Sequence, residues 1–171
     1  MTTYTVNPNT GHFTPLQTFT YQLPNGPGPI PDRQDAPHPH AAYLDPTGRF
    51  VVVPDLGADL LRVFAINQFT GRLETVAPYK TEPGLGPRHV AFWTPESESA
   101  VVDTDQVYMY LVSELSNTLT GYKVSYSPRG LGFDEIYQES TYGQHKAGPK
   151  GSKASEISLS VSCPTLIAAP F

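Results

Sequence analysis

A pattern of strands and turns that recurs along the chain is the feature that most limits its possible folds. Residues 37–73 read as four short strands separated by turns rich in proline, glycine and aspartate. Residues 4–13 align without a gap on residues 64–73, and residues 40–46 align on residues 89–95. A repeat of about 50 residues that carries four short strands predicts the blades of a β-propeller.

Two further alignments extend this repeat. Residues 122–133 are a looser copy of the strand–turn–strand segment, and residues 53–57 align on residues 112–116. The second alignment pairs Asp55 with Glu114 and places both between the second and third strands of their blades. Chance similarity between strand–turn–strand segments is the alternative, and in-order copies of separate segments count against it.

The composition favours the same all-β class. The 171 residues include 18 prolines, 14 glycines, 10 tyrosines and 8 phenylalanines, and no stretch forms a convincing amphipathic helix. A net charge of −5 without a basic patch argues against a nucleic-acid partner. The sequence shows neither a signal pattern nor an apolar run near the roughly 18 residues of a membrane span, so we expect a cytoplasmic protein without a membrane partner.

The repeat divides the chain into an incomplete set of blades, about two full ones and two partial ones. Residues 1–18 match the end of a blade, residues 38–78 and 88–139 match full four-stranded antiparallel blades, and residues 154–160 start another. Residues 161–171 form a divergent tail. Closed propellers have four to eight blades, so we expect this chain to be a piece of a longer protein.

Propeller geometry brings several polar residues to one end of the blades. The segment that leads into an innermost strand and the loop between the second and third strands lie at the same end. A base, a fixed cation and carboxylates would therefore crowd the mouth of the central channel, which is the usual shape of a binding site. The residues at these places are His40, Asp55, Arg88, His89, Glu114 and Glu156.

Each of these residues also has a purely structural interpretation. His40 and His89 could each cap a strand through a hydrogen bond from the ring to the backbone. Arg88 could be the ion-pair partner of Glu114 or Asp55, and Asp55 suits a turn in which its side chain bonds the backbone.

His38 and His40 could share one side of a strand and bind a metal. No third ligand stands at a useful spacing, so we expect no metal and no other cofactor.

Several of these sequence strings resemble one known family. HPH, DPTGRF, VPDLGAD, PGLGPRH, SEL and ASEI follow one another over roughly residues 3–160, in the order found in the family of 6-phosphogluconolactonases and carboxymuconate cyclases, which are seven-bladed β-propellers. The resemblance implies a metal-independent enzyme that opens or forms a lactone. The family's catalytic His, Arg and Glu would fall on His40, Arg88 and Glu114, and substrate binding would fall on Arg88, His89 and His38. A further family arginine, in the blade that begins near residue 154, has no counterpart here.

The residue types suit lactone chemistry. His40, with an ordinary pKa near 6.5, can act as the base that activates water. Arg88 can donate to a substrate phosphate or carboxylate, or to the oxyanion that develops at the carbonyl. Glu114 could orient His40 or shuttle a proton. The same set could hold a dicarboxylate and deliver a proton in the cyclase direction, so hydrolysis and cyclisation both stay open.

The alternative class of function is an inactive truncated propeller or a binding scaffold. A channel site needs neighbouring blades to exclude water and fix its side chains. We therefore expect the chain to be inactive, or nearly so, when it is expressed as it stands. The expected partner of the whole site is a small anionic lactone or a dicarboxylate.

Overall fold

The computed structural model describes residues 1–23, 25–96, 100–144, 146–160 and 165–170. A 3-10 turn at Thr104–Gln106 is the one helical element among these described residues and all other elements are strands, which confirms the predicted all-β class. Within the described residues, no helix has the length and apolar character needed to cross a membrane. The strands are β1 (Thr2–Val6), β2 (Phe13–Thr18), β3 (Tyr43–Leu44), β4 (Phe50–Asp55), β5 (Leu60–Ile66), β6 (Leu73–Thr75), β7 (Tyr79–Lys80), β8 (Pro87–Trp93), β9 (Tyr108–Ser113), β10 (Thr118–Ser127), β11 (Gly130–Ser140), β12 (Ala154–Leu159) and β13 (Leu166–Pro170).

The strands form antiparallel sheets in chain order. β3-β4-β5-β6 and β8-β9-β10-β11 are the two full sheets, and the pairs β1-β2 and β12-β13 flank them along the chain. We call the first full sheet, together with β7, blade A, and we call the second blade B. The sequence predicted full blades at residues 38–78 and 88–139, and β7, at Tyr79–Lys80, falls in the stretch that was expected to connect them.

The two strand–turn–strand segments at residues 4–13 and 64–73 have matching hydrogen bonds. Gly11 N–H donates to the Asn7 carbonyl at 2.9 Å, and Gly71 N–H donates to the Asn67 carbonyl at 2.8 Å. The two glycines have φ values of 70° and 67°, in the left-handed region where a side chain is unfavourable. The equivalence of these segments, predicted from the sequence, is therefore confirmed.

Two strands of blade A differ from the predicted pattern, and proline explains both differences. The innermost strand is reduced to Tyr43–Leu44 instead of 40–44, with Pro39 forming an isolated bridge to Asp55. The outermost strand is split into β6 and β7, both paired with β5, and Pro78 lies between them. Proline has no N–H to donate, so a regular ladder cannot run through it.

One strand was not predicted. β13, at Leu166–Pro170, pairs with β12 in the stretch that the sequence pattern left as a divergent tail. Its sequence lacks the turn motif that marks the other second strands. The repeat alignment recognised second strands by the turn before them, so it did not detect β13.

Alternating side chains bury both faces of each full blade. On β4, Phe50 and Val52 face the cluster shared by blades A and B, whereas Val53 faces the opposite side, towards Phe19 and Tyr21. This alternation follows from the two-residue period of a strand. The shared cluster contains Phe50, Val52, Leu61, Val63, Leu85, Val90, Val107, Met109, Leu111, Tyr122, Val124 and Phe133.

The turns between the second and third strands of the two blades have the same form. Residues 56–59 join β4 to β5, and residues 114–117 join β9 to β10. The last residue of each turn has a positive φ, 50° at Asp59 and 55° at Asn117. We call these two segments the mouth turns of blades A and B.

The backbone hydrogen bonds correct the sequence alignment of these turns by one residue. Leu56 N–H donates to the His38 carbonyl at 3.1 Å, and Glu114 N–H donates to the Gly86 carbonyl at 2.8 Å. Glu114 is therefore the counterpart of Leu56, and the alignment of Glu114 with Asp55 was wrong. The motifs concealed the shift because both read as an acidic residue followed by leucine.

Candidate active site

Glu114 is a buried carboxylate surrounded by cations. Its side chain is 5% exposed, and its Oε1 lies 2.6 Å from Arg33 Nη2 and 3.9 Å from Lys153 Nζ. Its Oε2 lies 3.4 Å from Arg88 Nε. Burial of a charge is costly unless opposite charges compensate it, and these three groups supply that compensation. We call Arg33, Arg88 and Lys153 the cation cluster.

Arg33 is fixed through the residue that follows it. Gln34 is fully buried, and its Nε2 donates to the Leu56 carbonyl at 2.9 Å and to Asp59 Oδ2 at 2.7 Å. Asp59 Oδ1 also accepts from Gly86 N–H at 2.9 Å. The mouth turn of blade A therefore holds both the connection that carries Arg33 and the backbone beside Glu114.

The mouth turn of blade B holds the next connection in the corresponding way. Asn117, at the positive-φ position, donates from Nδ2 to the Ser152 carbonyl at 2.9 Å. Lys153 follows directly, and Arg88 Nη1 donates to the Ala154 carbonyl at 3.4 Å. Equivalent positions of two blades thus place the two connections whose cations meet at Glu114.

Two histidines lie beside this cluster. The rings of His40 and His89 are 6.3 Å apart. His89 Nδ1 lies 2.6 Å from the Tyr43 hydroxyl and 3.4 Å from Glu156 Oε1. These contacts of the His89 ring are with side chains, so they differ from the strand cap that we considered from the sequence.

The surroundings favour the neutral form of both histidines. Desolvation lowers the pKa of His40 and the positive charge of Arg88 lowers it further, while Glu114 acts in the opposite direction. Desolvation also lowers the pKa of His89, against an opposing effect of Glu156. At neutral pH His40 is therefore available as a proton acceptor.

Asp55 has a structural role, as the turn interpretation predicted. Its Oδ1 accepts from the N–H groups of His38 and Ala58 at 2.7 and 3.2 Å, and its Oδ2 accepts from Arg62 Nε at 2.7 Å. The ring of His38 lies 3.1 Å from Asp35, at an exposed position. These bonds confirm Asp55 as a turn former and direct the His38 ring towards Asp35.

The structure therefore brings together only part of the predicted site. Arg88 and Glu114 form an ion pair, and His40 is close enough to both for their charges to change its pKa. Glu156 joins through His89. Among the described residues, no group of three or more His, Cys, Asp or Glu side chains could hold a metal ion.

The sequence analysis missed Arg33, Lys153 and Tyr43. Arg33 and Lys153 stand in proline- and glycine-rich connections that belong to no repeated motif, and Tyr43 reads as an ordinary strand residue. The available signal was their position, because each connection leads into an innermost strand at the channel end of a blade.

A family comparison decides where this chain belongs. The family described as lactonase, 7-bladed beta-propeller, matches residues 1–169. The chain belongs to this family. The resemblance seen in the sequence and the propeller fold are thereby confirmed, with the chain as a fragment of a propeller.

Relatives of this lactonase-family chain carry names consistent with that assignment. A probable 6-phosphogluconolactonase of Arthroderma benhamiae is 43% identical over 142 residues, which are 82% of this chain and 34% of the relative. The 6-phosphogluconolactonase of Bacillus subtilis is 35% identical over 65% of this chain and 28% of its own length. The chain thus spans about a third of the curated relatives that it matches.

Solved structures show the same fold. A Lactobacillus plantarum protein matches 99% of this lactonase-family chain and 43% of its own, with a TM-score of 0.76 and 25% identity. The periplasmic gluconolactonase of Pseudomonas aeruginosa matches 99% of this chain and 42% of its own, with a TM-score of 0.74 and 22% identity. The second likeness concerns the fold alone.

Proposed function

We propose that the protein acts as a lactonase on a sugar lactone with an anionic substituent, and that 6-phosphogluconolactone is the first candidate. One observation carries the proposal: a neutral histidine, His40, lies beside the Arg88–Glu114 pair in a chain of the lactonase family. The names of the relatives from Arthroderma benhamiae and Bacillus subtilis support the choice of substrate.

In the proposed reaction His40 is the general base. It takes a proton from water as the water oxygen forms a bond to the lactone carbonyl carbon, and Arg88 donates to the oxyanion that results. The intermediate then collapses, the bond from the carbonyl carbon to the ring oxygen breaks, and the protonated His40 returns its proton to that oxygen. The product is the open hydroxy acid.

Glu114 has a different part in this proposal from the proton shuttle considered from the sequence. Its two oxygens contact the cation cluster. It therefore positions Arg88 by charge and hydrogen bonding, and the proton transfers are left to His40.

A chimera tests the proposal within a complete ring. In it, this chain replaces the matching 142 residues of the Arthroderma benhamiae relative. We expect the chimera to open 6-phosphogluconolactone faster than the spontaneous reaction. His40→Gln should lower kcat by about 10²–10⁴-fold, the usual contribution of a general base. An unchanged kcat in this variant would exclude His40 as the base.

The chain alone is assayed beside the chimera. We expect little activity, because a site held loosely by about 1 Å loses much of its rate and the chain spans about a third of its relatives. Equal rates for the chain and the chimera would show that the chain is self-sufficient.

The proposal also places the reaction in the cytoplasm. A phosphorylated lactone is charged, and charged groups enter an apolar bilayer at a high cost, so such a substrate stays where it is made. The fold neighbour from Pseudomonas aeruginosa is described as periplasmic, so the periplasm is the alternative location that an experiment has to distinguish. Fractionation of cells that express the protein should find it in the cytoplasmic fraction, and a periplasmic signal would contradict this part of the proposal.

A further inference from the structure

The cation cluster carries more positive charge than Glu114 neutralises. Three cations, Arg33, Arg88 and Lys153, lie within 4 Å of the carboxylate of Glu114, and Arg33 and Lys153 both contact its Oε1. The whole chain has a net charge of −5, which makes this excess a local departure from the character of the molecule. Concentrated charge of one sign attracts a ligand of the opposite sign.

The arrangement presents the cations, and not the carboxylate, to solvent. The side chains of Arg33 and Lys153 are 34% and 40% exposed, whereas that of Glu114 is 5% exposed. An approaching ligand therefore meets the donors of Arg33 and Lys153 first. Glu114 lies behind them and holds them near one another.

We infer that Arg33 and Lys153 bind the phosphate group of the substrate and so select a phosphorylated lactone over an unphosphorylated one. The inference rests on the proposed lactonase function, which it makes more specific. A phosphate monoester carries a charge of about −1.5 to −2 at neutral pH, opposite in sign to the two cations Arg33 and Lys153. Arginine offers a planar fork of donors to phosphate oxygens, and lysine adds a compact charge.

The backbone segments that carry the two cations are held in place before any ligand binds. The buried side chain of Gln34 fixes the backbone next to Arg33, and Asn117 fixes the backbone next to Lys153. A backbone that is already fixed leaves less entropy to be lost on binding. Arg88, from the start of β8, stays near His40, where the carbonyl of the lactone would lie.

The direct test is ligand binding to the full 171-residue chain at low salt. Calorimetry would compare 6-phosphogluconate, the open product, with gluconate, which lacks the phosphate. We expect 6-phosphogluconate to bind at least about 10-fold more tightly, since hydrogen bonds to charged groups are the stronger class. Equal affinities, or no binding of 6-phosphogluconate, would overturn the inference. So would tighter binding of cis,cis-muconate, which would favour a cyclase.

Variants assign the phosphate site to its residues. Arg33→Ala should weaken binding of 6-phosphogluconate by about 10-fold and Lys153→Ala by about 3-fold to 10-fold, with little effect on gluconate. Arg129→Ala and Lys123→Ala remove exposed cations and serve as matched controls. Melting curves would confirm that each variant is folded. Equal affinities in Arg33→Ala and Arg129→Ala would remove Arg33 from the site.

The chimera separates this inference from the proposed function. There, Arg33→Ala should raise KM for 6-phosphogluconolactone by about 10-fold and raise KM for gluconolactone by much less. Binding of 6-phosphogluconate without hydrolysis by the chimera would support the phosphate site and reject the lactonase. Hydrolysis of both lactones with the same KM, unaffected by Arg33→Ala, would support the lactonase and reject the phosphate site.

Discussion

The mouth turns of blades A and B share one backbone form but use their acidic residues in opposite ways. In blade A, Asp55 ends the strand, is fully buried, and spends its oxygens on backbone N–H groups and on Arg62 of its own blade. In blade B, Glu114 stands one residue later and contacts cations from other segments. Successive side chains of a strand point to opposite sides, so a shift of one residue changes what a carboxylate can reach.

The glycine that permits close packing lies within the mouth turn in blade A and in the segment that packs against the turn in blade B. A Cβ at Gly57 would overlap the Ala36 carbonyl, so blade A needs a glycine within the turn. Blade B has Leu115 at that position and places its glycine at Gly86, where a Cβ would overlap the Leu115 side chain. Each blade thus relieves the close approach at its turn with a glycine in a different segment.

The largest loss of stability is expected when blade A receives an acidic residue at the position equivalent to Glu114 of blade B. Leu56→Glu would place a carboxylate at a fully buried position of blade A that is the counterpart of Glu114. Without a cation cluster this charge is uncompensated, and we expect a loss of about 5 kcal/mol or more in unfolding free energy. Urea denaturation followed by circular dichroism measures the loss.

The control for this variant is Leu44→Glu, at a side chain that is 60% exposed. We expect a change within about 0.5 kcal/mol there. If Leu56→Glu leaves the chain too unstable to fold, Leu56→Ala should still show the cavity cost of about 2–5 kcal/mol. Stability equal to that of Leu44→Glu would mean that the two mouth turns do not differ as described.

The next largest loss of stability is expected when the hydrogen bonds and the ion pair of Asp55 in blade A are removed. Asp55→Ala should cost about 3–5 kcal/mol, because it leaves Arg62 without its carboxylate and the turn without its acceptor. Asp55→Asn keeps an acceptor for the turn and should cost less. A double-mutant cycle with Arg62→Met isolates the ion pair, and a coupling energy near zero would contradict the assignment.

The sequence revealed the blades because strand alternation, turn residues and repeat spacing are local properties. Residues 64–73 and 4–13 could be matched by eye, and their turns agree bond for bond. The cation cluster was harder to predict, since Arg33 and Lys153 lie in connections that carry no repeated motif. Arg33 is positioned in part by the bond between Gln34 and Asp59, which are far apart in sequence. The sequence could not show the one-residue shift of Glu114, because the register of the preceding strand β9 is set by its pairing with β8.

A smaller effect is expected for the carboxylate of blade B. Glu114→Gln removes its charge but keeps its shape, and we expect a cost of about 1–3 kcal/mol. The cost stays below that of Asp55→Ala because the partly exposed Arg33 and Lys153 can turn towards water. In the chimera, KM for 6-phosphogluconolactone should rise while the pH profile of kcat keeps its shape. Loss of one limb of that profile would restore Glu114 as a proton shuttle.

The smallest expected effect is the pH dependence of stability that His40 and His89 contribute. The folded state lowers the pKa of His40 and His89 below their ordinary value, so the unfolded chain binds protons more readily. Their contribution to stability is therefore present above pH of about 6.5 and is lost as pH falls through the lowered folded-state values. Thermal melting between pH 8 and pH 6 should show a falling midpoint. The double variant His40→Gln/His89→Gln should flatten this slope, whereas His12→Gln, at an exposed turn, should not. A slope that persists in the double variant would mean that these two rings do not cause it and that other groups carry the pH dependence.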